Sequence, residues 1–288
     1  MAETVLTDPV MAPGVYDDVP AEAYHADPAL SSTGARQLLP PSCPARFRWD
    51  QLYGQPPKAV FDFGQAAHLA ALGAGPDLVI VEAPDWRTKR AQQLRDGARA
   101  EGAVPLLEHQ YEQVQAMAAA LRAHPVAGPV FAPGSGRGEV SLWWADRPTG
   151  VMRRARLDWL REPVAERRLI VPDYKTCRSA SPEAFRKATA EYGYHQQADW
   201  YTAAVQALGL APGGAAFVFI CQEKDPPYLV ATYELDAVAL RIGAAKNRAA
   251  LETFAECTAT GRWPGYGDEP QLISLPPWAE IRDTEEYL

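Results

Sequence analysis

The chain has 288 residues, 47% of them hydrophobic and 22% charged, enough to bury a substantial core without disulfides. Its net charge of −8 argues against a general nucleic-acid coating protein. The most apolar windows, such as Ala215–Cys221, are far too short to span a bilayer, and the N-terminus lacks the basic and apolar regions of a secretory signal. Cys43, Cys177, Cys221 and Cys257 lie far apart with no Cys-x-x-Cys pair, the pattern of reduced thiols in a cytoplasmic protein.

Residues 1–14 read as a loose leader and residues 15–288 as one domain. Leu30-Ser31-Ser32-Thr33 supplies a hydroxyl N-cap for a short helix, Gly34–Leu39, which Pro40, Pro41 and Pro44 stop. A second helix over Phe63–Leu72 ends at Gly73 and Gly75, and a short strand, Leu78–Glu82, follows. Helical signal returns over Lys89–Ala100 and Leu107–Ala123. The turn Pro133-Gly134-Ser135-Gly136 leads into three strands, Gly138–Ala145, Gly150–Leu160 and Arg168–Lys175. Pro182 opens one long helix to Leu208. Strands Ala215–Gln222 and Tyr228–Glu234 come next, then a long helix, Asp236–Gly261. A tail rich in proline, glycine and tryptophan is expected to pack over the surface. This order predicts an α/β fold with a mixed central sheet flanked by helices.

Asp158 stands in Arg-Leu-Asp-Trp-Leu (156–160), and Asp173 and Lys175 in Ile-Val-Pro-Asp-Tyr-Lys (170–175). Side chains alternate along a strand, so Asp173 and Lys175 point the same way. If the two strands are neighbours, two carboxylates and one ammonium meet. Crowded carboxylates raise one another's pKa unless a cation neutralises them, and hard divalent ions such as magnesium suit that task. The lysine is then left to steer a water or a phosphate. Glu139 begins the first of the three strands, and Arg156 shares the strand face of Asp158. His68 lies on an early helix, and Gln197 and Tyr201 share one face of a later one.

Local charge departs from the acidic average. Arg87, Lys89, Arg90, Arg95 and Arg99 face a single acid, Asp96, between Trp86 and Ala100, and Arg153, Arg154, Arg156, Arg161, Arg167 and Arg168 surround Asp158. A basic cleft and ordinary solvated helix faces both fit this pattern. The basic helix around Arg87–Arg99, with Arg87, Lys89 and Arg90, is the better candidate for DNA contact, with affinity that falls steeply with salt. Trp143, Trp144, Trp159 and Trp200 could stack on unpaired bases, but core packing is the default for buried-strand and helix tryptophans.

Gly64-x-x-x-His68, Asp158, Asp173-x-Lys175 and Gln197-x-x-x-Tyr201 resemble, in order and context, the RecB-like branch of the PD-(D/E)xK nuclease superfamily. Tyr24-His25-Ala26-Asp27, Leu30-Ser31-Ser32-Thr33-Gly34-Ala35, Phe63-Gly64-Gln65-Ala66-Ala67-His68 and Trp263-Pro264-Gly265-Tyr266 resemble the RecE-type, exonuclease VIII-like domain. The resemblance extends over residues 15–278. It implies a restriction-endonuclease-like core in which Asp158 and Asp173 hold one or two magnesium or manganese ions, with His68 and Glu139 completing or supporting the shell. Lys175 then orients the attacking water, Arg156 binds a phosphate, and Gln197 and Tyr201 touch the nucleic acid or organise the site. Asp173 stands where relatives often carry glutamate.

The implied activity is digestion of double-stranded DNA from the 5′ end. It leaves 3′ single strands for a RecT-type annealing protein in phage or prophage recombination, in the bacterial cytoplasm. Ring-shaped homo-oligomers occur among such enzymes. Some RecB-like nucleases also hold an iron–sulfur cluster on four thiolates, which the scattered cysteines here do not offer. Two other readings compete: a Cas4-like or structure-selective endonuclease, and a non-catalytic nucleic-acid-binding protein that keeps the fold.

Overall fold

The computed structural model describes residues 11–54, 59–73, 75, 77–164 and 167–288. The expected leader falls outside the described residues up to residue 10. Strand β1 (Gly14–Tyr16) is followed by α1 (Ala21–Ala26), β2 (Leu30–Ser31), α2 (Ser32–Gln37) and α3 (Pro44–Tyr53). Next come α4 (Ala59–Leu72), β3 (Leu78–Val81), α5 (Lys89–Ala100), β4 (Val104–Leu107), α6 (Glu108–Ala123) and α7 (Ala127–Val130). The central strands are β5 (Gly136–Ala145), β6 (Met152–Arg161) and β7 (Leu169–Cys177). Then follow α8 (Pro182–Tyr192), α9 (Tyr194–Ala207), β8 (Ala215–Glu223), β9 (Val230–Tyr233), α10 (Ala237–Thr260) and α11 (Pro277–Tyr287).

Among the described residues the strands form three sheets, parallel and antiparallel pairings both occurring. In the first, ordered β1-β5-β6-β2, β5 lies antiparallel to β1 and β6, and β2 runs parallel to β6. In the second, β7 and β8 are parallel and β9 is antiparallel to β8; β3 and β4 form a separate parallel pair. β2 meets β6 only at Arg153 and Arg154. Farther along, β6 runs beside β7, tied to it by the Tyr174 backbone N–H, which donates to Asp158 Oδ2 at 2.7 Å. A side-chain carboxylate thus takes the place of a ladder hydrogen bond at the junction of two ladders.

β8 is covered on both faces, and its side chains alternate accordingly. Phe217, Phe219 and Cys221 enter a core shared with Leu157, Val171 and Trp200, while Ile220 enters one shared with Met117, Leu121, Trp159 and Tyr174. Helix α9 covers the first face; α4 and α6 supply the second. All four candidate stacking tryptophans, Trp143, Trp144, Trp159 and Trp200, are buried, as packing rather than base stacking requires.

Three expectations change. The single helix over 182–208 breaks at Gly193, which adopts φ 66°, ψ 36° and ends α8 with its N–H donating to the Thr189 carbonyl. Glycine reaches this left-handed conformation without a Cβ penalty, which is why the break falls there. The tail packs only in part: Trp263 stacks on Phe47 with ring centroids 5.7 Å apart, but residues 277–287 form α11 with Trp278 and Ile281 exposed. The strand expected over Tyr228–Glu234 shortens to β9, because Tyr228 turns to φ 60°. Among the described residues no helix is long and apolar enough to cross a membrane.

Candidate active site

Asp173 and Lys175 lie on the same face of β7, as strand alternation requires, and Lys175 Nζ stands 2.6 Å from Asp173 Oδ2. The other carboxylate oxygen accepts a 2.7 Å hydrogen bond from Gln197 Nε2 on the first turns of α9. Asp173 is thereby fixed from two sides while nearly all its surface is buried. Asp158, on β6, uses Oδ2 to accept from the Tyr174 N–H, and that oxygen also lies 3.7 Å from His68 Nδ1 on α4. The His68 ring meets Tyr174 edge-on, with centroids 5.1 Å apart. Tyr201, one turn beyond Gln197, packs edge-on against Phe217 and feels the charges of Asp173 and Asp158.

Glu139 stands opposite Asp158 in the β5–β6 register, between the paired residues Gly138–Trp159 and Val140–Leu157. It has φ 54°, a conformation uncommon for a side chain with a Cβ and associated with functional sites. Arg156 Nη1 lies 3.9 Å from its carboxylate. The other Arg156 nitrogens are committed inside the protein: Nε donates to Ser141 Oγ and Nη2 to the Val19 carbonyl, and the guanidinium sits 4.3 Å from the Tyr24 ring centroid. Arg87, Lys89 and Arg90 are exposed at the start of α5, and Arg87 pairs with Asp85, its Nε 3.5 Å from Oδ2. Arg99 on the same helix pairs with Asp62 on α4 at 2.5 Å, so α5 is tied to the helix that carries His68.

Burial governs the electrostatics. It raises the pKa of Asp158, against the pull of Lys175 and the Tyr174 N–H. Asp173 is pushed up to about 6 by burial, with Lys175 opposing and Asp158 adding to the rise. Glu139 goes to about 7, again through burial and then the Asp158 charge. Burial alone would lower the Lys175 pKa, but Asp173 and Asp158 outweigh it and the ammonium is held charged. His68 falls to about 4 through burial and the nearby Lys175, so it is neutral at neutral pH. Three buried carboxyl groups, Asp158, Asp173 and Glu139, thus gather with Lys175 and Arg156 as the cations nearest them.

Among the described residues, no three His, Cys, Asp or Glu side chains converge into a closed metal-holding group. The donor set still fits a hard divalent ion. Magnesium is commonly bound by one or two carboxylates, with waters and substrate phosphate filling the other positions. Asp158 and Asp173 are such a pair, and among the described residues the hydrogen bond to Asp158 falls on Oδ2.

The raised values of Asp173 and Glu139 give a signed expectation for metal-free protein. Their folded pKa values, about 6 and about 7, exceed the unfolded ones of 3.8 and 4.5, so the folded state holds these protons more tightly. Their stabilising contribution is complete below roughly pH 4 and is lost as pH rises through the folded values. Denaturant melts of chelator-treated protein should show midpoints falling between about pH 5 and 8, and added magnesium should reverse the fall. A midpoint that rises across this window would contradict the electrostatic description.

A family model described as a PDDEXK-like domain of unknown function (DUF3799) matches residues 42–276, a stretch that includes His68, Glu139, Asp158, Asp173, Lys175, Gln197 and Tyr201. The chain belongs to that family. Membership in the PDDEXK-like family agrees with the fold of a crystal structure described as "Putative exonuclease" from Eubacterium rectale. That protein is 10% identical, with a TM-score of 0.56 over 93% of this chain and 96% of the other. At that identity the likeness is one of fold. No curated protein matches the chain.

Two residues near the PDDEXK-like centre escaped sequence reasoning. The Tyr194 ring lies 5.5 Å from Lys175 Nζ, and Arg36 on α2 crosses Gly193, its Cδ 2.6 Å from where a Cβ there would stand. Gly193 was the available signal for both, because a glycine inside an otherwise helical run marks a break or a close approach.

Proposed function

We propose that the protein is a divalent-metal-dependent DNA exonuclease, acting on double-stranded DNA from the 5′ end and leaving a 3′ single strand. The observation that carries this reading is Asp173 clamped between Lys175 and Gln197 with Asp158 on the adjoining strand. Asp158 and Asp173 would hold the magnesium or manganese, one ion or two, with Glu139 and His68 supporting them. Such an ion, when bound, activates water and neutralises phosphate charge. Gln197 fixes the orientation of Asp173, and His68, neutral and beside Asp158, holds that side chain in place. Lys175 keeps its proton and presents a fixed cation to the developing charge on phosphorus. Arg156 holds Glu139 in position, and the exposed basic residues Arg87, Lys89 and Arg90 track the duplex backbone.

The 5′ polarity, the handover to a RecT-type annealing protein, the phage or prophage setting, the cytoplasmic location and a homo-oligomeric ring all rest on the similarity to RecE-type nucleases. So does treating residues 15–288 as one nuclease domain. Linear duplex labelled at either end, incubated with and without magnesium, tests reaction, metal and direction together. The expected result is magnesium-dependent release of the 5′ label with covalently closed circles left intact. Cutting of closed circles would make the protein an endonuclease, and no cleavage of any substrate would leave it a nucleic-acid-binding protein.

A further inference from the structure

The four candidate stacking tryptophans are buried, so any stacking on bases must come from exposed rings. Among the described residues these are Trp49, Tyr53, Tyr192, Tyr266, Trp278 and Tyr287. Trp49 and Tyr53 pair with each other on α3, and Trp278 sits against Arg282 of its own helix. Tyr192 is set apart because its neighbours lead into the site. Its ring stands 5.8 Å from that of Tyr194, and the Tyr194 ring stands 5.5 Å from Lys175 Nζ. Residues two apart on a continuous helix do not face each other. These two meet because Gly193 between them is left-handed and breaks the helix there.

Packing fixes the inner rings of this row. Tyr194 stacks on Phe185 at 6.0 Å and meets Phe219 at 5.3 Å, and Phe185 in turn stacks on Tyr233 at 4.5 Å. The outer ring is open, with Tyr192 50% exposed. A row of aromatic faces therefore runs from solvent to the lysine of the centre. Asp158 and Asp173 are sunk between strands, so a DNA strand must leave its duplex stack to bring a phosphate to them, and unstacking a base has a cost. An aromatic face offsets that cost by replacing the lost neighbour, and it accepts any base because every base has a π-face.

We propose that Tyr192, backed by Tyr194, is a stacking platform for an unpaired base of the strand being cut, the base adjoining the phosphate at Lys175. The inference rests on the nuclease reading for the identity of the ligand, and it is tested by binding rather than cleavage. Tyr194 sets the position of the platform, and Tyr192 makes the contact.

The test is affinity measured by fluorescence anisotropy in calcium for DNA with forked ends, each unpaired nucleotide replaced in turn by an abasic one. Wild type is expected to lose affinity on the order of tenfold at one position. Tyr192→Ala is expected to lose as much on intact DNA and then nothing further when that base is removed. Tyr192→Phe keeps the ring and is expected to behave as wild type. The pairing of one protein deletion with one base deletion separates a stacking contact from a general loss of binding.

A folded Tyr192→Ala protein that keeps wild-type affinity, or keeps wild-type sensitivity to base removal, overturns the platform. Should that variant not fold, 5-iodouracil placed at the same nucleotides and irradiated in the wild-type complex reads the contact directly. A cross-link mapped to Tyr192 by mass spectrometry supports the platform, and its absence from Tyr192, wherever else a cross-link falls, overturns it. A protein that stacks a base on Tyr192 but never cleaves refutes the nuclease reading alone; one that cleaves, with Tyr192→Ala binding as wild type does, refutes the platform alone.

Discussion

Asp173→Asn and Lys175→Ala are each expected to slow DNA cleavage by at least about 10³-fold, since one preorganised charge at a transition state is commonly worth 10²–10³ and these two act as a unit. Asp173 has one oxygen on Lys175 and the other on Gln197. An asparagine there must turn its amide nitrogen toward one of two donors, so it loses the charge and one of the two anchors together. Lys175→Ala leaves Asp158 and Asp173 buried with no cation between them, which raises both pKa values further. Because the two side chains form one arrangement, the double variant should cost little more than either single one. Single-turnover digestion of end-labelled duplex gives the rates, and gel shifts in calcium show whether binding stays within about threefold, as expected for residues that act on the reacting phosphate rather than on duplex capture. Cleavage within tenfold of wild type in a folded variant would remove these residues from the site.

The centre of the site was legible because strand alternation is local. Asp173 and Lys175 share a face from their spacing alone, and the four-residue spacing of Gln197 and Tyr201 does the same on a helix. The meeting of Asp158 with that group was less accessible. It depends on β6 lying beside β7, and the tie there is a carboxylate accepting a backbone N–H rather than a ladder that periodicity could foretell. Glu139 was placed on the correct strand, but its positive φ has no sequence signature, because glutamate rarely adopts it. The break at Gly193 was hidden for a different reason. A lone glycine costs a helix only about 1 kcal/mol, so a continuous pattern overrides it on paper. What decides the break is the left-handed backbone at Gly193, φ 66° and ψ 36°, and Arg36 Cδ, 2.6 Å from where a Cβ would stand, adds a contact with a distant part of the chain. The short strand β4, Val104–Leu107, was missed because four residues containing Pro105 carry too little alternation to read.

Trp200→Ala should destabilise the protein by about 4 kcal/mol, within the range for removing a buried tryptophan. At least four consequences add up. The ring is fully buried, so its apolar area returns to a cavity rather than to neighbours that can collapse. Its Nε1 donates at 3.0 Å to the Arg154 carbonyl, which loses that hydrogen bond. Its face lies 3.9 Å from the Arg153 guanidinium, whose Nε and Nη2 already lack hydrogen-bond partners. Its edge meets Trp144 at 5.9 Å, so the neighbouring strand loses a ring contact as well. Denaturant melts measure the loss, and duplex affinity at a temperature where the variant is folded separates the two readings of this residue. A large stability loss with unchanged affinity fits a core tryptophan. Unchanged stability with weakened binding would instead make Trp200 a stacking platform, and would require its side of α9 to open toward DNA.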